Sequence, residues 1–271
     1  MRAILAALAL CAALPALAQD TGLVSLQTAD AGRDWQAVGR LDLGSRGFCT
    51  GTLIAPDLVL TAAHCLFDKE TGARNDVASI EFLAGWRNGR AEAYRHISRA
   101  LPHPEYVYGG QAGIDRVGFD IALLQLDQPI LLPSIQPMPT AAAPRVGAEV
   151  GVVSYAQDRA EAPSIQEVCH VLDGRPDVLV LNCNVDFGAS GAPIFAVQDG
   201  VARVVSVVSA KADVEGQKVA LGTVLDGPLQ DLRAEMAAGD GVRHSAPTGV
   251  RMLSGSGAKG AKFIKVAPAS P

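Results

Sequence analysis

With 271 residues, 49% of them apolar and 19% charged, the chain can fill one large folded domain or two small ones, which excludes general disorder. Glycine (28) and proline (16) are frequent, aromatics make up only 5%, and the apolar residues fall in short runs, so strands are favoured over helices. Of the net charge of −5, the tail after Asp240 contributes five cations and no acid, and Arg2 adds one more cation, so residues 19–240 carry −11; a body this acidic argues against nucleic acid as the main partner, because phosphates need a basic surface.

Residues 1–18 combine Arg2, an apolar run over 4–14 and a closing Ala16-Leu17-Ala18. This is the pattern of a secretory signal peptide cut after Ala18, and it predicts a secreted or periplasmic protein. The run is too short for a membrane anchor, Leu10 stands before Cys11 where a lipoprotein needs a small residue, and no later stretch could span a bilayer. Removal of the leader leaves Cys49, Cys65, Cys169 and Cys183 in an oxidising compartment, with three possible pairings. Pairing by neighbourhood, Cys49 with Cys65 and Cys169 with Cys183, is expected. The spacings do not resemble a zinc site.

Residues 19–34 lack periodicity and read as a poorly ordered lead-in. Strands are predicted over 35–43 and 48–54, joined by the Gly44-Ser45-Arg46-Gly47 turn, and then over 58–61, with a helical turn at 62–65. Further strands are predicted over 79–83, 93–99 and 121–126; the loop 101–118 between the last two is the longest, and such loops are often functional. Residues 129–145 hold five prolines and form an extended connector. The domain boundaries that follow are 35–140 for a first unit and 141–239 for a second. The second unit has predicted strands over 149–155, 166–172, 178–183, 193–197, 202–209 and 219–225. Its helix over 228–238 has Leu229, Leu232 and Met236 at helical spacing and Gly239 as a stop. Residues 240–271 are low in complexity and are expected to be an unstructured basic tail.

Three short segments carry chemistry. Ser190 sits in the tight turn Gly188-Ala189-Ser190-Gly191-Ala192-Pro193, His64 ends Leu60-Thr61-Ala62-Ala63-His64-Cys65, and Asp120 opens Asp120-Ile121-Ala122-Leu123-Leu124. Each alone has a plain structural reading. Together they supply a hydroxyl nucleophile, a base and a carboxylate, each beside a strand end. These segments, with Cys49-Thr50-Gly51-Thr52-Leu53-Ile54, resemble the trypsin-like (chymotrypsin-fold) serine proteases over roughly residues 35–238. His96, His103, His170 and His244 match no motif and read as surface or packing residues.

The resemblance implies an all-β fold of two antiparallel six-stranded β-barrels, with His64 and Asp120 from the first and Ser190 from the second. It implies an oxyanion hole from the backbone N–H groups of Gly188 and Ser190, and protein or peptide substrates. Asn184, Ser209, Ala210 and Lys211 would border the primary pocket. Lys211 would favour an acidic side chain there unless it is simply a surface lysine, and no aspartate falls at the pocket base to select Lys or Arg. No metal or cofactor is expected, since neither H-E-x-x-H nor a phosphate loop occurs, and a monomer is expected.

Two residues depart from the family pattern. Ala189 replaces the aspartate that pairs with the new amino terminus in digestive and clotting members, and no Ile-Val-Gly-Gly-like sequence lies between Ala18 and Trp35. The turn is therefore expected to be held by packing, as in the bacterial glutamyl-endopeptidase-like branch. Ala192 replaces a glycine, a modest change. A non-catalytic binding protein on the same fold is the alternative. An α/β-hydrolase is disfavoured by the missing last glycine of G-x-S-x-G and by the order of the three residues.

Overall fold

The computed structural model describes residues 20–109, 114–214 and 216–243. Along the chain run strands β1 (Val24–Ser25), β2 (Val38–Asp42), β3 (Phe48–Ala55), β4 (Leu58–Thr61), β5 (Glu81–Ala84), β6 (Ala93–Pro102) and β7 (Ala122–Leu126). They are followed by β8 (Glu149–Ala156), β9 (Arg159–Gly174), β10 (Val178–Leu181), β11 (Pro193–Gln198), β12 (Val201–Val214), β13 (Gln217–Val224) and β14 (Val242–Arg243). A short helix, α1 (Ile114–Gly118), precedes β7, and the longer α2 (Pro228–Ala238) follows β13.

Two closed antiparallel barrels result. The first follows the order β6-β5-β2-β3-β4-β7 and closes through β6–β7; the second follows β9-β10-β13-β12-β11-β8 and closes through β8–β9. Closure removes the sheet edges that would otherwise stand open. Leu41, Leu53, Leu60, Phe82 and Leu123 fill the first barrel, and Val152, Leu181, Ile194 and Val205 fill the second, all fully buried. Between the barrels, Tyr155 Oη donates to Trp86 O at 2.8 Å, and Trp86 Nε1–H donates to Ala160 O at 3.1 Å. Disulfides join Cys49 to Cys65 and Cys169 to Cys183.

The lead-in departs from the sequence expectation. Thr21 N–H donates to Val168 O at 3.0 Å, Val24 and Ser25 pair with Ile165 and Ser164, and Leu26 N–H donates to Pro163 O at 2.8 Å. A strand of two residues has no period to read, yet the flank of β9 satisfies its backbone groups. At the other end, β14 pairs Val242 with Ala100 and Arg243 with Arg99 at the start of the predicted tail. Strands β9 and β12 run beyond their predicted ends: the far arm of β12 is mostly exposed, which hides it from hydrophobic periodicity, and residues 162–165 of β9 are buried in a row, so no alternation marks them as strand. The expected signal peptide and most of the expected tail lie outside the described residues.

Candidate active site

The register between β4 and β7 brings two of the three candidate residues together. Thr61, the last residue of β4, pairs with Ala122, the first of β7. His64 lies three residues past Thr61 in the single helical turn Ala63–Leu66, and Asp120 lies two residues before Ala122, so both emerge at the same end of the barrel. His64 Nδ1 is 2.7 Å from Asp120 Oδ2, and the His64 backbone N–H donates to Asp120 Oδ1 at 2.8 Å. Since a carboxylate only accepts, this contact places the imidazole proton on Nδ1 and leaves Nε2 free to act as a base.

Asp120 is 4% exposed, so its charge must be compensated. The third donor is Ser209 Oγ, which bonds to Oδ2 from β12 of the second barrel. Ser209, expected to border the primary pocket, does line the cavity, and its hydroxyl is bonded to Asp120. The motifs offered no sign of this role, because the two residues are 89 positions apart.

Ser190 stands across the same cavity, about 1050 Å³ in volume and lined by residues that include His64, Asp120, Gly188, Ser190 and Ser209. Among the described residues its hydroxyl makes no hydrogen bond to His64. Such contacts often tighten only when a substrate is seated. The turn itself is held from β3: Thr50 N–H donates to Ser190 O at 2.8 Å, and Thr50 Oγ1 donates to Gly188 O at 2.9 Å. Thr61 Oγ1 in turn donates to Thr50 O at 2.9 Å. Thr50 sits inside a recognised motif, but its role depends on partners in the other barrel.

Glycine is required at two places in this turn. Gly188 has φ +97°, and a Cβ there would lie 2.5 Å from the Phe48 ring. Gly191 has φ +76°, and its Cβ would meet Thr61 Oγ1 and Thr50 O, both inside contact distance. Ala189 is fully buried, and its N–H donates to Asp186 O at 2.9 Å. Among the described residues, neither Gly188 N–H nor Ser190 N–H has an internal acceptor, so both remain available to an external anion.

The remaining pocket residues separate. Ala210 and Lys211 line the cavity, while Asn184 is exposed outside the lining and its N–H donates to Gln166 Oε1 at 2.7 Å. Lys211 Nζ is 2.7 Å from Asp186 Oδ1 and 4.2 Å from the centre of the Phe187 ring. That ammonium, with the Phe187 N–H, holds the Asp186 carboxyl below its ordinary range. On the other side, Tyr106 and Tyr108 flank Phe67, and burial with the nearby Asp120 charge pushes the Tyr106 phenol above its ordinary value. The cluster Cys49, His64 and Cys65 is compact enough for an ion, but its sulfurs are joined in a disulfide and are not free thiolates.

Two closed barrels with a His–Asp pair at the strand ends between them define the trypsin-like serine protease class, and the chain belongs to the trypsin family. The family model, described as Trypsin, matches residues 24–172, a span that includes His64 and Asp120 and ends before Ser190. The chain is 32% identical to mouse Serine protease 56 over 156 residues, 54% of this chain and 23% of that protein. It is 29% identical to bovine Serine protease 23 over 167 residues, 54% of this chain and 43% of that protein. These matches span less than half the length of those relatives. Among solved structures, a Glu endopeptidase in complex with MPD superposes with a TM-score of 0.66 at 16% identity, covering 80% of this chain and 98% of that one. That likeness speaks for the fold. No described helix is long and apolar enough to cross a membrane.

Proposed function

We propose that the protein is an exported serine endopeptidase that hydrolyses peptide bonds through an acyl-enzyme intermediate. The observation that carries this reading is the His64–Asp120 pair, 2.7 Å apart and facing Ser190 across one cavity between the barrels. His64 Nε2 takes the proton of Ser190 Oγ as the oxygen attacks the substrate carbonyl, forming the new C–O bond, and returns it to the departing amine. Water then attacks the acyl group by the same proton route and releases Ser190. Asp120 holds the imidazole tautomer and balances the imidazolium. The N–H groups of Gly188 and Ser190 receive the oxyanion, an interaction worth about 3 kcal/mol per donor in the transition state. Export follows from residues 1–18 as a leader cut after Ala18, and the two disulfides fit an oxidising compartment.

Lys211 already gives its charge to Asp186, so we expect it not to select an acidic side chain in the primary pocket. Cleavage of a peptide library reads this directly, and a dominant preference for acidic residues would overturn it. Labelling by an active-site fluorophosphonate tests the chemistry itself. Folded wild type is expected to label and Ser190→Ala is not; an unlabelled wild type would favour the binding-protein alternative.

A further inference from the structure

The Asp20 carboxylate is bound at both oxygens. His170 Nδ1 lies 2.7 Å from Oδ1, and Asn182 Nδ2 donates to Oδ2 at 2.6 Å. Because a carboxylate can only accept, the His170 proton sits on Nδ1 and Asn182 presents its amide nitrogen to Asp20. The other end of the Asn182 side chain accepts the His170 backbone N–H at 2.6 Å, and Asn182 N–H donates to His170 O at 3.2 Å. The disulfide joins the immediate neighbours of these residues, Cys169 and Cys183. Asn182 is thus fixed in place and in side-chain orientation by a residue at the start of the described chain.

Two residues later, Asn184 N–H donates to Oε1 of Gln166, which is 1% exposed. Val185, Asp186, Phe187 and Gly188 come next, and all four line the cavity beside Ser190. This wall has little core of its own, and Phe187 is 61% exposed. Its starting register is set by the segment that Asp20 holds. The fully buried Ala189 gives no carboxylate to which a new amino terminus could anchor the same wall from below.

We propose that Asp20 is a positioning residue: by clamping His170 and Asn182 it sets the cavity wall at residues 185–188, acting through its side chain where other members of the fold use a free amino terminus. The kinetic consequence rests on the peptidase reading above; the structural consequence does not. A side-chain clamp does not require a free amino terminus, so a short extension before Gln19 is expected to leave activity unchanged.

The test compares full-length wild type, Asp20→Ala, Asp20→Asn and Thr21→Val by amide hydrogen exchange and by peptide-cleavage kinetics. Asp20→Ala is expected to speed exchange over 182–188 about tenfold, leaving the first barrel unchanged, and to lower kcat/KM about three- to tenfold, mainly through KM. Asp20→Asn keeps one acceptor and should fall between it and wild type. Thr21→Val removes bonds to Val168 without touching Asn182, and is expected to match wild type over 182–188. Unchanged exchange in Asp20→Ala, loosening of both barrels together, or an equal effect of Thr21→Val would each overturn the clamp. If wild type cleaves no peptide, the functional reading fails, and the exchange measurements still decide the clamp.

Discussion

Asp120 is held by three donors, two from His64 and one from Ser209, and the last can be removed without touching the imidazole. A hydrogen bond to a charged group contributes about 1.5–3 kcal/mol, so Ser209→Ala is expected to lower kcat by about tenfold or more with little change in KM. Steady-state kinetics separates the two parameters. At Gly188 the backbone is left-handed and a methyl group would strike Phe48. Gly188→Ala should therefore turn its N–H away from the cavity and lower kcat by about 10²–10³, the usual loss of one oxyanion donor. The three candidate residues are legible in the sequence because each lies in a short segment with its own local signature. Thr50, Ser209 and Asp20 are not, since their partners are 138, 89 and 150 residues away.

Helix α2 meets the loop after β6 at His103, which is 2% exposed and stacks on Phe119, the residue before Asp120. Its backbone N–H donates to Ile121 O at 2.9 Å, and its Nδ1 accepts from Glu105 N–H at 3.3 Å. Among the described residues Nε2 has no hydrogen-bond partner; Asp231 on α2 is 3.8 Å away. Burial holds this imidazole below its ordinary 6.5, against the opposing pull of Glu105, Asp231 and Glu235. The unfolded chain takes up the proton near pH 6.5 and the folded chain only at lower pH, so acid favours unfolding. Stability from neutral His103 is complete above about pH 6.5 and is lost as pH falls through the folded value. Melting curves between about pH 7 and pH 5 should fall less steeply for His103→Gln than for wild type. Strand existence was largely readable from apolar runs, whereas the start of β9 and the far end of β12 were not: residues 162–165 are buried without alternation, the far arm of β12 is mostly exposed, and both are placed by pairing with neighbouring strands.

Across the whole molecule, each end of the described chain braces the distant barrel. β1, ahead of the first barrel, pairs with β9 of the second, and β14, after the second barrel, pairs with β6 of the first. The disulfide Cys169–Cys183 closes a separation of 14 residues in the second barrel, next to the segment clamped by Asp20. Loop-closure entropy for a ring of that size is about 3 kcal/mol. The double variant Cys169→Ser, Cys183→Ser should unfold about 6–12 °C lower in a calorimetric scan. Cavity access should loosen with it, since the disulfide and Asp20 secure the same wall.

The sequence by itself determined the class of fold and the three candidate residues, because short apolar runs, turn glycines and motifs around His64, Asp120 and Ser190 are local properties. It also marked Ala189 as a departure from activation by a buried ion pair. Only the tertiary structure decided what holds the site in place. Thr50 fastens the Ser190 turn, Ser209 completes the Asp120 shell, Lys211 gives its charge to Asp186, and Asp20 clamps the wall beside the nucleophile. Each of these contacts joins residues far apart in sequence, and strand register and the docking of two barrels are what bring them within hydrogen-bond range.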